Sequence, residues 1–417
     1  MPASMMQLSL DGVTGLTGVR AGAQRRWQNT GWPDQRAEQW RFTRLSGLQK
    51  MDLRFAESAA ITAENQEFSA AMPDNAAFLS FSNGVFDQAS LDNLPKGVKA
   101  SLLDGDEATL LALSKLVPQS HPISDLSLAA MTSGIHLEIS GAVEIPIVLA
   151  FTGDDNSLSA HPVVSININD GASVVITEWH RSNVGLSAPL MAIEVGKKAR
   201  LDYAKVQQDS AASTHLAATG LKLGDGSIFD GFQISVGGKL ARLETHITLA
   251  GENADCTLSA IYLGRSSQHH DITTNMNHLK GHCLSNQVIR GVLDDKARGV
   301  FQGKVHVAPD AQKTDGQQMS RVLLLSRKAE ADAKPELEIY ADDVLCAHGA
   351  TIGELDETQL FYLASRGIDG QTARAMLISA FLDDAIDSIK NDELSAMLRP
   401  ITTAWMTAVD LNNAGEL

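Results

Sequence analysis

Between about His136 and Gly353 the chain consists of short runs rich in Val, Ile and Leu, separated by turns of Gly, Asn and Asp. His136–Ile139, Ile145–Phe151, Val163–Ile168, Val174–Glu178 and Leu201–Val206 are examples. Aliphatic and β-branched runs bounded by turn formers read as strands. The turns recur, with Gly171, Gly196, Gly224 and Gly251 standing 25, 28 and 27 residues apart. A unit of that length cannot bury a core alone, and its repetition fits a solenoid in which one coil of short strands stacks on the next. With 33 glycines in the chain, a loose period also arises by chance. On pattern alone a sandwich or mixed sheets compete with the solenoid.

The flanks have a different texture. Residues 1 to about 125 mix helical patterns with polar connections, such as Gln35–Leu48 with Trp40 and Arg44 on one side, and the Leu/Ala-rich Ser101–Leu116. After Gly353, Glu357–Ser365 reads as a short helix stopped by Gly367, where a left-handed cap is expected. Gln371–Ile389 places Met376, Leu377, Ala380, Phe381, Ala385, Ile386 and Ile389 on one stripe. Asn391 or Asp392 can cap a last helix carrying Leu394, Met397, Leu398, Ile401 and Trp405. The expected organisation is therefore a mostly helical region over residues 1–130, a strand-built core over 131–353 and a helical domain over 354–417. The last is too small to bury much core alone, so it is expected to dock on the end of the core or on a partner.

A net charge of −16 disfavours nucleic acid and anionic membrane, which bind through excess Lys and Arg. Protein partners fit better. Three cysteines, Cys256, Cys283 and Cys346, are too few and too dispersed for a disulfide framework and point to a reducing compartment. The opening MPASMMQLSLDGVTG lacks the basic and apolar regions of a secretory leader, and no apolar run is long enough to span a bilayer. A cytoplasmic location is expected.

Chemistry concentrates at Cys346 and His348. Successive strand side chains alternate faces, so these two project together. A thiolate with an imidazole suits iron, zinc or copper. Two donors fall short of the four that iron–sulfur and structural zinc sites take, so any site here is completed from elsewhere in the chain or by a second chain. A buried thiol beside a hydrogen-bonded imidazole is the competing reading. His269, His270, His278, His282 and Cys283 are denser, and His278 with His282 has the spacing of a helical metal pair. The surrounding residues are equally compatible with a strand or loop, which would separate the two. Lys304 and Lys313-Thr314 lack a phosphate-cradling glycine loop, and there is no dinucleotide fingerprint. Asp294-Asp295 and Asp342-Asp343 are adjacent pairs, which a strand turns to opposite faces.

The segment Glu336–Ile368, ELEIYADDVLCAHGATIGELDETQLFYLASRGI, resembles the SufB/SufD family of iron–sulfur cluster assembly scaffolds. The likeness extends upstream through Ser285–Ser326 and includes Gly31-Trp32-Pro33 with Glu38–Thr43. It is strong over the last third of the chain. The run from Cys346 to Asp356 favours the SufD branch over SufB. The resemblance implies a mainly β fold, a right-handed β-helix core (β-solenoid) flanked by N- and C-terminal helical domains. It implies a non-catalytic subunit that pairs with SufB and docks the ATPase SufC through its C-terminal helices. His348 would contribute to a nascent iron–sulfur cluster shared with SufB, with the role of Cys346 less defined. It further implies that SufC closure on ATP strains the interface, that FAD accompanies the complex in some members, and that the isolated chain can form homodimers. The competing functions are a purely structural scaffold subunit and a β-helical polysaccharide-active enzyme. The second is disfavoured by an aromatic content of only 5%.

Overall fold

The computed structural model describes residues 16–55, 72, 75–117 and 121–407. The opening segment read for a leader lies outside them. From Pro162 to Gly353 the long strands alternate between two sheets, one of 12 strands and one of 10. Thr214–Leu223, Leu240–Leu249, His269–His278, Arg298–Val307 and Glu330–Ile339 are successive parallel neighbours in the first. Arg200–Gln207, Ile228–Ser235, Asp255–Gly264, Leu284–Leu293, Asp315–Leu324 and Leu345–Gly353 are successive neighbours in the second. Each coil therefore contributes one strand to each sheet, and the core is a β-solenoid, not a sandwich of hairpins. All five runs named from the sequence lie in or overlap strands.

Straight stacking turns the strand period of two into columns. One runs through Ile166, Ile193, Leu221, Ile247, Met276, Val305 and Leu337, in direct register from coil to coil. Most of its members are buried in one continuous core with Leu201, Phe229 and Leu258 of the opposite sheet. The glycine period has a steric origin. A Cβ at Gly251 would lie 2.1 Å from the Asp225 amide nitrogen and 2.2 Å from the Gly224 carbonyl carbon, and one at Gly196 would lie 2.8 Å from the Asp170 amide. At Gly196 and Gly251 the corners pack backbone on backbone with no room for a side chain, whereas Gly171 has open space and a φ of +70°.

The interior also holds charge. Glu178 accepts from His180 Nε2 at 2.6 Å and faces Lys205 Nζ at 3.2 Å, all fully buried. Such groups are tolerated only when paired and hydrogen-bonded.

Helices flank the core at both chain ends. Gly18–Thr30, Glu107–Ser114 and Pro122–Ala130 precede it, but Ala77–Ser82 and Val98–Leu102 are strands that extend the two sheets. Gln35–Leu48 is not the helix its pattern predicts. It contains a 3₁₀ turn at Glu38–Trp40 and ends where another, Leu48–Lys50, begins, because tertiary contacts override propensity. Trp40 lies against the Arg242 guanidinium at 4.2 Å, Thr43 bonds Asp271, and Gln302 donates to the Gln39 carbonyl at 3.1 Å. The segment is thereby spread over the outer face of the 12-stranded sheet.

After the solenoid come helices Glu357–Ser365, Gly370–Ile386 and Asp392–Thr407. Gly367 adopts φ +85°, and Asn391 Oδ1 caps the last helix through the Glu393 and Leu394 amides at 3.1 Å. This unit docks along a face of the solenoid and not on its end. Ile378, Leu382, Ile386, Leu398 and Trp405 pack on Val206, Phe232, Ile234 and Ile261 of the 10-stranded sheet. Arg290 pairs with Asp384, and the Lys390 amide donates to Asp230 at 2.9 Å.

Candidate functional site: the open last coil

Cys346 and His348 lie on Leu345–Gly353, the final strand of the 10-stranded sheet, and Glu330–Ile339 is the final strand of the other. Neither has an outer neighbour among the described residues, so both present unpaired backbone donors and acceptors. Leu345 is 70% exposed and Tyr340 61%, with Ile339 and Ile352 also exposed.

Register fixes where the two donors point. Cys346 stacks on Gly316 and Ser285, and His348 on Gln318 and Gln287. Ser285, Gln287 and Gln318 are buried, so these columns face the solenoid interior. Gly316 has its Cβ position 3.3 Å from Cys346 Sγ, so its lack of a side chain lets the thiol settle over it. Cys346 is consequently half-buried against the core, whereas His348 is exposed at the open end. Burial pushes the Cys346 thiol above its ordinary pKa and Asp315 adds to the rise, with a hydrogen bond from the Gly316 amide opposing. The thiol therefore stays protonated near neutrality until a metal displaces its proton.

The denser histidine group is dispersed. His269 points outward to Thr43 Oγ1 at 3.1 Å, His270 inward to Ser235 Oγ at 2.8 Å, and His278 to Ser285 Oγ at 2.9 Å. His282 occupies a corner with φ +59°, and Cys283 is a buried thiol donating to the Gly251 carbonyl at 3.2 Å. His278 and His282 are separated because a strand ends between them. Lys304 and Lys313 are tied to Glu338 and Asp343. One convergence of donors was invisible in the sequence: His121, Glu244 and His246 meet under the N-terminal segment. Its only sequence trace is the alternation Arg242, Glu244, His246, polar on the outward face of a strand.

A two-sheet parallel solenoid with an open last coil bearing a Cys-x-His pair and a docked helical unit defines the class. Residues 151–381 match the family model for the SUF system FeS cluster assembly SufBD core domain, and the chain belongs to the SufB/SufD family. It is SufD-like. It is 30% identical to the iron–sulfur cluster assembly protein SufD of Escherichia coli over 376 residues, covering 88% of this chain and 87% of that protein. A SufBD family iron–sulfur cluster assembly protein of Synechocystis is 30% identical over 88% and 86% of the two chains. The chloroplastic protein ABCI7 of Arabidopsis thaliana is 30% identical over 89% and 82%.

Proposed function

We propose that this chain is the SufD-like, non-catalytic subunit of a SufB–SufC–SufD scaffold, and that its open last coil pairs with the β-helix of SufB. The observation that carries the proposal is the coincidence, on one unpaired coil, of free strand edges, exposed Leu345 and Tyr340, an exposed imidazole and a half-buried thiol. Pairing there would bury His348 and bring it to donors supplied by SufB, completing the set that two residues cannot. The iron–sulfur cluster is cargo built at that junction. His348 is the ligand from this side, and Cys346 joins it only where a metal displaces its raised-pKa proton.

The C-terminal helices are the dock for SufC. They leave Phe361 76% exposed and Tyr362 56% exposed beside a cleft of about 760 Å³ lined by Arg321, Tyr362, Leu363, Leu377 and Phe381. The helices from Glu357 to Thr407 are clamped to the core strands through Arg290 and Asp384. Closure of two SufC subunits on ATP would therefore pull on the sheet that ends in His348, one bistable interface biased by nucleotide. Flavin, where present, belongs to the assembled complex, and the cytoplasm is its location.

Co-expression with SufB and SufC, followed by anaerobic reconstitution and absorption spectroscopy of native and His348→Ala proteins, tests this. The expected result is an intact ternary complex whose visible iron–sulfur bands fall by about tenfold or more in the variant, as losing a ligand does. Equal bands in both would leave a purely structural subunit, and absence of any complex would overturn the SufD assignment.

A further inference from the structure

We propose that His121, Glu244 and His246 form a binding site for a divalent transition-metal ion that pins the N-terminal segment to the outer face of the solenoid. His121 immediately precedes helix Pro122–Ala130, while Glu244 and His246 alternate on strand Leu240–Leu249 and so share a face. Both imidazole Nε2 atoms converge on one carboxylate oxygen, Glu244 Oε1, at 3.0 and 2.9 Å. Donors at those separations match neighbouring ligands about 2.1 Å from a common ion. All three side chains are at least nine-tenths buried.

The His121 ring is held at both nitrogens. Its Nε2 is buried and lies 3.0 Å from Glu244 Oε1. Its Nδ1 lies 2.9 Å from Ser124 Oγ and 3.2 Å from the Ser124 amide. Ser124 thus serves either tautomer: the amide donates to a bare Nδ1, and the hydroxyl accepts from Nδ1–H. In the first form Nε2–H donates to Glu244; in the second the bare Nε2 can ligate an ion while the Ser124 hydroxyl holds Nδ1–H, the outer contact that metal-binding imidazoles have. The other oxygen, Glu244 Oε2, is held by Arg242 Nε at 3.0 Å and Nη2 at 2.8 Å, the orienting contact that metal-binding carboxylates generally have. Arg242 also pairs with buried Asp271, so one guanidinium against two carboxylates leaves a negative charge for a cation to offset. A nitrogen, nitrogen, oxygen set without thiolate suits zinc, cobalt or iron(II) and leaves a fourth position for water. Because the donors come from both the segment and the sheet, the ion enters as the segment docks. The site is independent of whatever the last coil holds.

The test uses cobalt(II), supplied while the full chain refolds from denaturant with chelator-stripped buffers, with excess removed by gel filtration. One bound equivalent with weak visible ligand-field bands and no thiolate-to-metal charge-transfer band is expected, unchanged in Cys346→Ala and His348→Ala. In His246→Gln, whose amide can still donate to Glu244, and in His121→Ala, that equivalent should be lost while circular dichroism shows a folded chain. No retained cobalt in the native chain, a charge-transfer band lost with Cys346, or equal retention in the folded His246→Gln or His121→Ala variant would each overturn the proposal. Should both variants fail to fold, the native spectrum and the Cys346→Ala and His348→Ala stoichiometries decide it alone.

Discussion

A histidine buried against a hydroxyl, with no carboxylate beside it, stays neutral, and this chain contains several. Burial lowers His161 and His270 to about 3 and His278 to about 4, from an ordinary 6.5. Between pH 6.5 and those values the unfolded chain binds protons that the folded chain does not. The stabilisation is therefore complete above pH 6.5 and is lost as pH falls through the window, at about 1.4 kcal/mol per pH unit for each histidine. Glu178 adds to the loss below pH 4.5: burial would raise it, but Lys205 and His180 bring it down to about 2. Urea midpoints should thus fall steeply between pH 7 and pH 5, and His270→Asn should make that dependence shallower. An unchanged slope would mean that His270 titrates freely in the fold. At this scale the pairing of Cys346 with His348 was legible, since it needs only the period of a strand. Their unequal exposure was not, because it depends on that strand being the last. The union of His121 with Glu244 across the chain was illegible for the same reason, as no local rule brings them together.

Among elements, the corners set the tolerance of the fold. Gly251 and Gly171 both belong to the period, yet for different reasons. At Gly251 a Cβ meets the preceding coil's backbone, whereas at Gly171 the space is open and the constraint is φ +70°. Gly171→Ala should therefore cost about 1–2 kcal/mol, the left-handed penalty of an L-residue. Gly251→Ala must displace a coil and should cost about 4 kcal/mol or more. Thermal or urea unfolding of the two variants checks the ranking, and equal losses would mean that the corners are less tightly packed than they stand. Glycine spacing made the solenoid legible because each of these coils turns a corner that favours glycine, by close backbone approach at Gly196, Gly224 and Gly251 and by a positive φ at Gly171. The three C-terminal helices were legible through their caps, and the stripe of the last one holds, but in Gly370–Ile386 the buried face is Ala373, Ile378, Leu382, Ala385 and Ile386, and the expected stripe members Met376 and Ala380 are exposed. Gln35–Leu48 misled because its periodicity is helical while Arg242, Asp271 and Gln302, far away in sequence, hold it open. The His269–Cys283 group is dispersed as its strand-compatible neighbourhood implies: consecutive strand residues diverge, so density along the chain is not proximity.

On the scale of the whole molecule, the two chain ends protect much of the core and leave one end of the stack bare. The N-terminal segment covers the 12-stranded sheet and the C-terminal helices cover the 10-stranded one, yet the last coil has no outer neighbour among the described residues; its Glu330–Ile339 edge carries charges and Pro335, whereas its Leu345–Gly353 edge carries no Lys, Arg, Asp or Glu to discourage association. Leu345 and Tyr340 on that coil are 70% and 61% exposed, so replacing both by Lys removes little packing and should change stability by about 0.5 kcal/mol or less. Association should respond far more, since lysines on a strand edge oppose pairing with another strand. The isolated native chain is expected to dimerise with rising concentration in sedimentation or light scattering, and Leu345→Lys with Tyr340→Lys to stay monomeric with an unchanged melting temperature. In co-expression the same double variant should lose SufB while retaining SufC, because the helices that would hold SufC lie on a different face. Retention of SufB by a folded double variant would move the partner surface away from the last coil, and with it the reason for His348 to stand exposed there.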